Sequence, residues 1–269
     1  MEQEVIIAFL LTLFAGLSTG IGSLLVFCTK TSNTKFLSFS LGFSAGVMIY
    51  VSLVDIFPVA QESLVAELGS KMGSWLTVTS FFAGMILIMF IDKCILKEND
   101  PHQLIDSKVN RNQSNKAPHA ELLKMGTFTA IAMAIHNFPE GIATLVSALQ
   151  DPVLGVVIAV AIAIHNIPEG IAVAVPIYYA TNDKRKAFRI SLLTGLTEPL
   201  GAITAYLLLM PFLNDTMFGI IFAMVAGIMV YISLDELLPA AKKYDGAQLS
   251  MYGLICGMAV IAISILLLM

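Results

Sequence analysis

The sequence predicts an all-α integral membrane protein of eight transmembrane helices, and three observations carry that prediction. Of the 269 residues, 57% are hydrophobic and 13% charged, whereas a soluble domain carries about 25% charge. Mean hydropathy is +0.85. Apolar runs long enough to span a bilayer recur along the whole chain, and the lysines and arginines gather in alternate loops between them.

The eight runs fall near Val5 to Phe27, Phe36 to Phe57, Trp75 to Ile91, Met125 to Leu149, Val153 to Tyr179, Ala187 to Met210, Met217 to Leu238 and Leu249 to Met269. The first follows Met-Glu-Gln-Glu, with no basic segment ahead of it, and therefore reads as a retained helix and not a cleaved signal peptide. Between the third and fourth runs, the polar stretch at about 92–124 lacks apolar periodicity and reads as a loop within a single domain of residues 1–269. His102 and His119 in it read as solvated loop residues, because metal-binding tracts concentrate more His or Cys.

Orientation follows from the basic residues, since basic loops remain cytoplasmic. Lys30 and Lys35 occupy the first loop, six cations from Lys93 to Lys124 the third, Lys184, Arg185, Lys186 and Arg189 the fifth, and Lys242 and Lys243 the seventh. Only Lys71 falls on the other side, so an even number of spans with both termini outside is expected. Cys28, Cys94 and Cys256 form no CxxC pair and read as small buried packing residues.

Two internal repeats organise the chain. The unit AIAMAIHNFPEGIA from Ala130 recurs as AVAIAIHNIPEGIA from Ala159, with 11 of 14 residues identical. A short turn around Asp151 and Pro152 makes these two helices antiparallel. More widely, SAGVMIYVSLVDIFPVA from Ser44 is echoed by VAGIMVYISLDELLPAA from Val225 at 8 of 17 positions. By the loop count the two copies run in opposite directions, so helices 1–3 and 6–8 form an inverted repeat around a central pair, helices 4 and 5. Such repeats are a transporter signature.

The central pair carries the chemistry. Ionisable side chains inside a bilayer-length segment mark ion pathways or coordinating sites. On a helix His136 and Glu140 lie about 40° apart, with Asn137 about 60° beyond, so the three share one face. His165, Asn166 and Glu169 repeat that face at matching depth. Pro139 and Pro168 leave the carbonyls of Ile135 and Ile164 without their helical partners, and a kink is expected at each motif. Glu198, between Thr197 and Pro199, has a similar setting in the sixth helix. Imidazole, carboxylate and amide oxygen together suit a divalent transition metal. Oxygen donors beside imidazole favour iron(II) and manganese(II) as well as zinc.

Other residues have blander readings. Met48 and Met229 read as packing residues, and Asp55, Asp235 and Glu236 as carboxylates at the mouths of a path or as interfacial caps. Gly42 with Gly46 and Gly253 with Gly257 read as close-packing contacts that leave a homodimer open. Nothing points to nucleic acid or to a catalytic cofactor. A Walker A sequence is absent, which excludes an ATP-driven pump of that type. An intramembrane zinc hydrolase is the competing class, supported by His and Glu at i and i+4, but HExxH is missing.

With HNxPEG in both central helices, the chain resembles the ZIP (Zrt/Irt-like) family of divalent metal transporters, and within it the bacterial members. The likeness covers the whole chain. It implies a multi-pass protein of the plasma (inner) membrane that takes up zinc, with iron, manganese, cobalt and cadmium as further cargo, through a binuclear centre. It further implies that His136, Glu140, His165 and Glu169 form a zinc-type site, and that Asn137, Glu140, Asn166, Glu169 and Glu198 form an oxygen-rich site beside it.

The orientation is testable by cysteine labelling from outside sealed cells. Probes placed at Ser70 or Asn214 should react and one at Ser114 should not; reaction at Ser114 would reverse the topology.

Overall fold

A computed structural model describes residues 2–28, 30, 33–95, 117–150, 152–209, 214–245 and 247–268. The first span is α1 (Glu2–Ser23), extended by a 3-10 turn at Leu24–Cys28. It is followed by α2 (Thr34–Val51), a π turn at Ser52–Ile56, α3 (Phe57–Leu68) and α4 (Ser70–Ile95). The central pair is α5 (Ala117–Gln150) and α6 (Pro152–Thr181). Then come α7 (Lys184–Gly195), α8 (Thr197–Thr204) with a π turn at Ala205–Leu209, and α9 (Asp215–Ile232). A π turn at Ser233–Leu237, α10 (Leu238–Asp245) and α11 (Ala247–Leu268) complete the chain.

Helix starts follow their caps. Asn33, Asp183 and Asn214 each accept the backbone N–H three residues on, at 3.1, 2.9 and 2.8 Å, and so open α2, α7 and α9. Gly69 closes α3 at φ 79°, a left-handed conformation that glycine adopts without strain.

Six helices among the described residues are long and apolar enough to cross a membrane: Gln3–Cys28, Thr34–Leu68, Ser70–Ile91, Gly155–Thr181, Asp215–Lys243 and Gln248–Leu267. The two other expected spans are helical but fall short of that mark. α5 carries its His136, Asn137 and Glu140 between flanks that hold Gly126, Thr127, Thr129, Thr144 and Ser147, where α6 surrounds the same set with Val, Ile and Ala, and between α7 and α8 the helix breaks at Leu196. The expected loop at 92–124 is also trimmed, because α4 runs to Ile95 and α5 starts at Ala117. His102 and the side chains of His119 and Cys94 lie outside the described residues. Cys28 and Cys256 are exposed and not buried as expected, since both stand on outward faces.

The second span is longer than the sequence suggests. Pro58 cannot donate to the carbonyl four residues back, yet the helix continues, because the π turn before it shifts the bonding: Phe57 N–H reaches the Ser52 carbonyl. The same device precedes Pro239, where Leu238 N–H reaches Ser233. Ser52 and Ser233 each bond back to Met48 and Met229, at 2.6 and 2.7 Å. The wide sequence echo thus has a local structural counterpart, down to a proline-relieving π turn. As a result Asp55 lies inside the continuous helix and not near its end.

Lipid-facing and protein-facing surfaces are sorted by residue type. Leu10, Phe14, Phe82, Phe90 and Leu266 are exposed, whereas Ser38, Ser44, Thr77 and Ser233 are fully buried. In a bilayer the tails are as apolar as leucine, so helices join through small residues and hydrogen bonds. Gly42 and Gly46 of α2 meet the backbone of Ser250 and Leu254 in α11, while Gly253 and Gly257 meet Phe39 and Phe43. The glycine pairs are therefore used within the chain. The helices form two groups, with α1, α5, α6, α7 and α8 packed together, and α2, α3, α4, α9, α10 and α11 packed together.

Since a side chain on Gly46 would run into the Leu254 backbone, Gly46→Leu should cost at least about 1–3 kcal/mol through overpacking. Thermal melting in detergent should show a clear drop. A variant that melts like the parent would mean that α2 and α11 are not in close contact.

Candidate metal centre

α5 and α6 turn their motif faces toward each other, and the pairing is crossed. His136 Nε2 lies 2.9 Å from Glu169 Oε1, and His165 Nε2 lies 3.4 Å from Glu140 Oε2. Each histidine thus meets the glutamate of the other helix, as antiparallel helices in matched register require. Both helices continue through Pro139 and Pro168. Ser44 of α2 donates to the Pro168 carbonyl at 2.7 Å and ties this turn to the other helix group.

Glu198 arrives from α8. The break at Leu196 starts a new helix there, and Glu198 stands fully buried in its first turn. Its Oε1 accepts from the Asn166 amide, which also donates to the Ala15 carbonyl of α1 at 2.9 Å. Asn137 donates to the Thr194 carbonyl at 3.2 Å. Gly141 permits this assembly, because any side chain on it would strike the Glu198 backbone.

All seven sequence-predicted ligands are buried, at 0–3% exposure. His136, Glu140 and Glu169 come together most tightly, with one donor atom from each within 4.8 Å of the others. His165 joins through Glu140, and Glu198 through Asn166. Asn137 shares the burial, but its amide nitrogen is directed to Thr194.

Hydrogen bonding leaves a consistent remainder. Eight buried side-chain atoms among the described residues lack a partner within hydrogen-bonding geometry, and five of them are the site oxygens Asn137 Oδ1, Glu140 Oε1, Asn166 Oδ1, Glu169 Oε2 and Glu198 Oε2. Buried polar atoms are nearly always satisfied, so a concentration of free donor atoms in one place calls for a ligand. Three of these five oxygens belong to carboxylates, which suits a divalent cation.

A cavity of about 470 Å³ leads to the site, lined by Asn214, Asp215, Ser63, Asp55, Glu140 and His165. It lies between the two helix groups. The sequence left Asp55 between a mouth of the path and an interfacial cap; it lines the cavity together with Glu140 and His165. Asn214, Asp215 and Ser63 carried no sequence signal, since they reach the cavity only through folding. Met48 and Met229 are buried core residues, as expected.

Comparison with known proteins gives the family. The family model described as ZIP Zinc transporter matches residues 3–265. The chain belongs to the ZIP transporter family. A protein named Zinc transporter ZupT from Oceanobacillus iheyensis is 66% identical, over 99% of both chains. Relatives of the same name from Lysinibacillus sphaericus and Streptococcus mutans are 61% and 57% identical, over 100% and 99% of both chains. This is a multi-pass membrane transporter family and not an enzyme family, so the hydrolase reading is set aside. The i, i+4 histidine and glutamate that favoured it pair across helices instead.

His165→Ala and Glu169→Ala should each weaken zinc binding to the purified protein by at least roughly tenfold, because loss of even an orienting partner costs about 10–100-fold. Equilibrium titration would read this, with helix content as the folding control. The His102 and His119 double variant should bind nearly as the parent does; the reverse pattern would move the site to the loop.

Proposed function

We propose that this chain takes up zinc, and with it iron(II), manganese(II), cobalt(II) and cadmium(II), across the plasma membrane into the cytoplasm. Zinc transport itself follows from family membership. The observation that supports the mid-membrane site is the set of five unpartnered oxygens on residues of three helices, at the end of a cavity that Asp55 and Asp215 line.

Cargo reaches the site through the cavity beside Asn214 and Asp215, which the basic-loop asymmetry assigns to the outside. Asp55 offsets its charge on the way as water is shed. Two adjacent ions are accommodated: one by His136, Glu140, His165 and Glu169, the other by Asn137, Glu140, Asn166, Glu169 and Glu198. An ion entering the first site replaces the His–Glu bonds with metal bonds, and ligand protons leave as it binds. Carboxylates offset most of its charge, which keeps binding moderate enough for release.

Release follows from movement of one helix group against the other. The groups meet along the cavity and are tied at the site by the Ser44 to Pro168 bond. In this reading the chain has eight spans with both termini outside, and helices 1–3 and 6–8 are an inverted repeat around the central pair. One chain completes the site, so a homodimer is not required.

Uptake of radioactive zinc into vesicles holding the purified protein separates transport from binding alone. Competition with iron(II) and manganese(II) then tests the division of ligands. Glu198→Gln should lower iron and manganese uptake several-fold more than zinc uptake, because the imidazole-bearing set remains intact. An equal loss for every metal would show that the two sets act as one unit.

A further inference from the structure

Four cations crowd the start of α7: Lys184, Arg185, Lys186 and Arg189. One is engaged. Lys184 Nζ donates to the Phe27 carbonyl at 3.0 Å and stands over the Tyr178 ring, 5.5 Å from its centroid. It thereby ties the end of the first span to the end of α6. Asp183 uses one carboxylate oxygen to cap α7 through the Lys186 N–H.

The other three cations are exposed, and none has an ion-pair partner among the described residues. From Arg185, Arg189 lies about 40° and Lys186 about 100° around the helix, so the three share one side. Like charges this close repel unless a counter-ion sits between them. Together with Asp183 and Ile190 they line a cleft of about 510 Å³. Further along the same side Leu193 is 63% exposed. A basic cleft that continues into an exposed apolar strip fits an amphiphile better than a free anion.

We propose that this cleft holds the headgroup phosphate of an anionic phospholipid, with an acyl chain running over Ile190 and Leu193. Guanidinium forks match phosphate geometry, and cations at the membrane edge favour anionic lipids over zwitterionic ones. Because α7 leads through Leu196 to Glu198, lipid binding also steadies the helix that carries a proposed ligand, and faster transport in anionic bilayers is the consequence.

The test begins with binding, which does not depend on the metal reading. Delipidated full-length protein is titrated with phosphatidylglycerol and with phosphatidylcholine, and retention is read by native mass spectrometry. The wild type should prefer phosphatidylglycerol by about tenfold or more, and R185Q/R189Q should lose that preference. Equal binding of both lipids, or an unchanged preference in the variant, would overturn the proposal. Displacement of the lipid by equimolar inorganic phosphate would assign the cleft to a free anion and likewise overturn it. In vesicles, wild-type zinc uptake should rise severalfold with phosphatidylglycerol and the variant's should not; uptake insensitive to lipid in both would overturn the link to transport.

Discussion

The crossed pairing of His136 with Glu169 and of His165 with Glu140 is the constraint on which the rest of the structure depends. Four ionisable groups inside apolar helices are tolerable only when each finds a partner, because burying a polar or charged group without one is expensive. The pairing fixes the register of α5 against α6. It also fixes which faces look inward, and so carries Asn137 and Asn166 into the same interior. The asparagines then reach neighbouring helices, Asn137 the Thr194 carbonyl and Asn166 both the Ala15 carbonyl and Glu198.

Small residues make that convergence sterically feasible. α8 lies against α5 at Gly141 and Gly201, each facing backbone of the other helix, so Glu198 comes close enough to face Asn166. The second helix group is closed by a similar device, where the glycines of α2 and α11 interlock. Where the groups meet, Ser44 makes a direct hydrogen bond to the Pro168 carbonyl of α6, and His165 of the same helix lines the cavity. The candidate ligands all stand on the first group and are reached through a cavity between the two groups, an arrangement in which movement of one group against the other can change their access.

Much of this was legible in the sequence because the expensive residues announce themselves. Duplicated HNxPEG units in apolar runs pointed to the ligand face, and the structure brings His136, Glu140, His165 and Glu169 together. The wide sequence echo has a local counterpart: its matched serines open matched π turns, and its matched prolines follow just beyond them. What escaped was decided by backbone hydrogen bonding. The second apolar run ended at Phe57, but the π turn carries the helix on through Pro58, and Asp55 stands on the cavity wall inside the continuous helix. The break at Leu196 falls where Pro199 cannot donate to the Gly195 carbonyl, a setting the sequence did show, whereas the backbone acceptors of the asparagines depend on tertiary packing alone.

X-ray absorption at the zinc edge, on purified protein loaded with zinc, tests the central claim most directly. The wild type should show a mixed nitrogen and oxygen shell at about 2.0–2.1 Å with the outer-shell scattering of imidazole. The His136→Ala/His165→Ala variant should lose that imidazole signal. A wild-type spectrum without imidazole scattering, or one unchanged in the double variant, would show that the crossed histidines do not hold the transported ion.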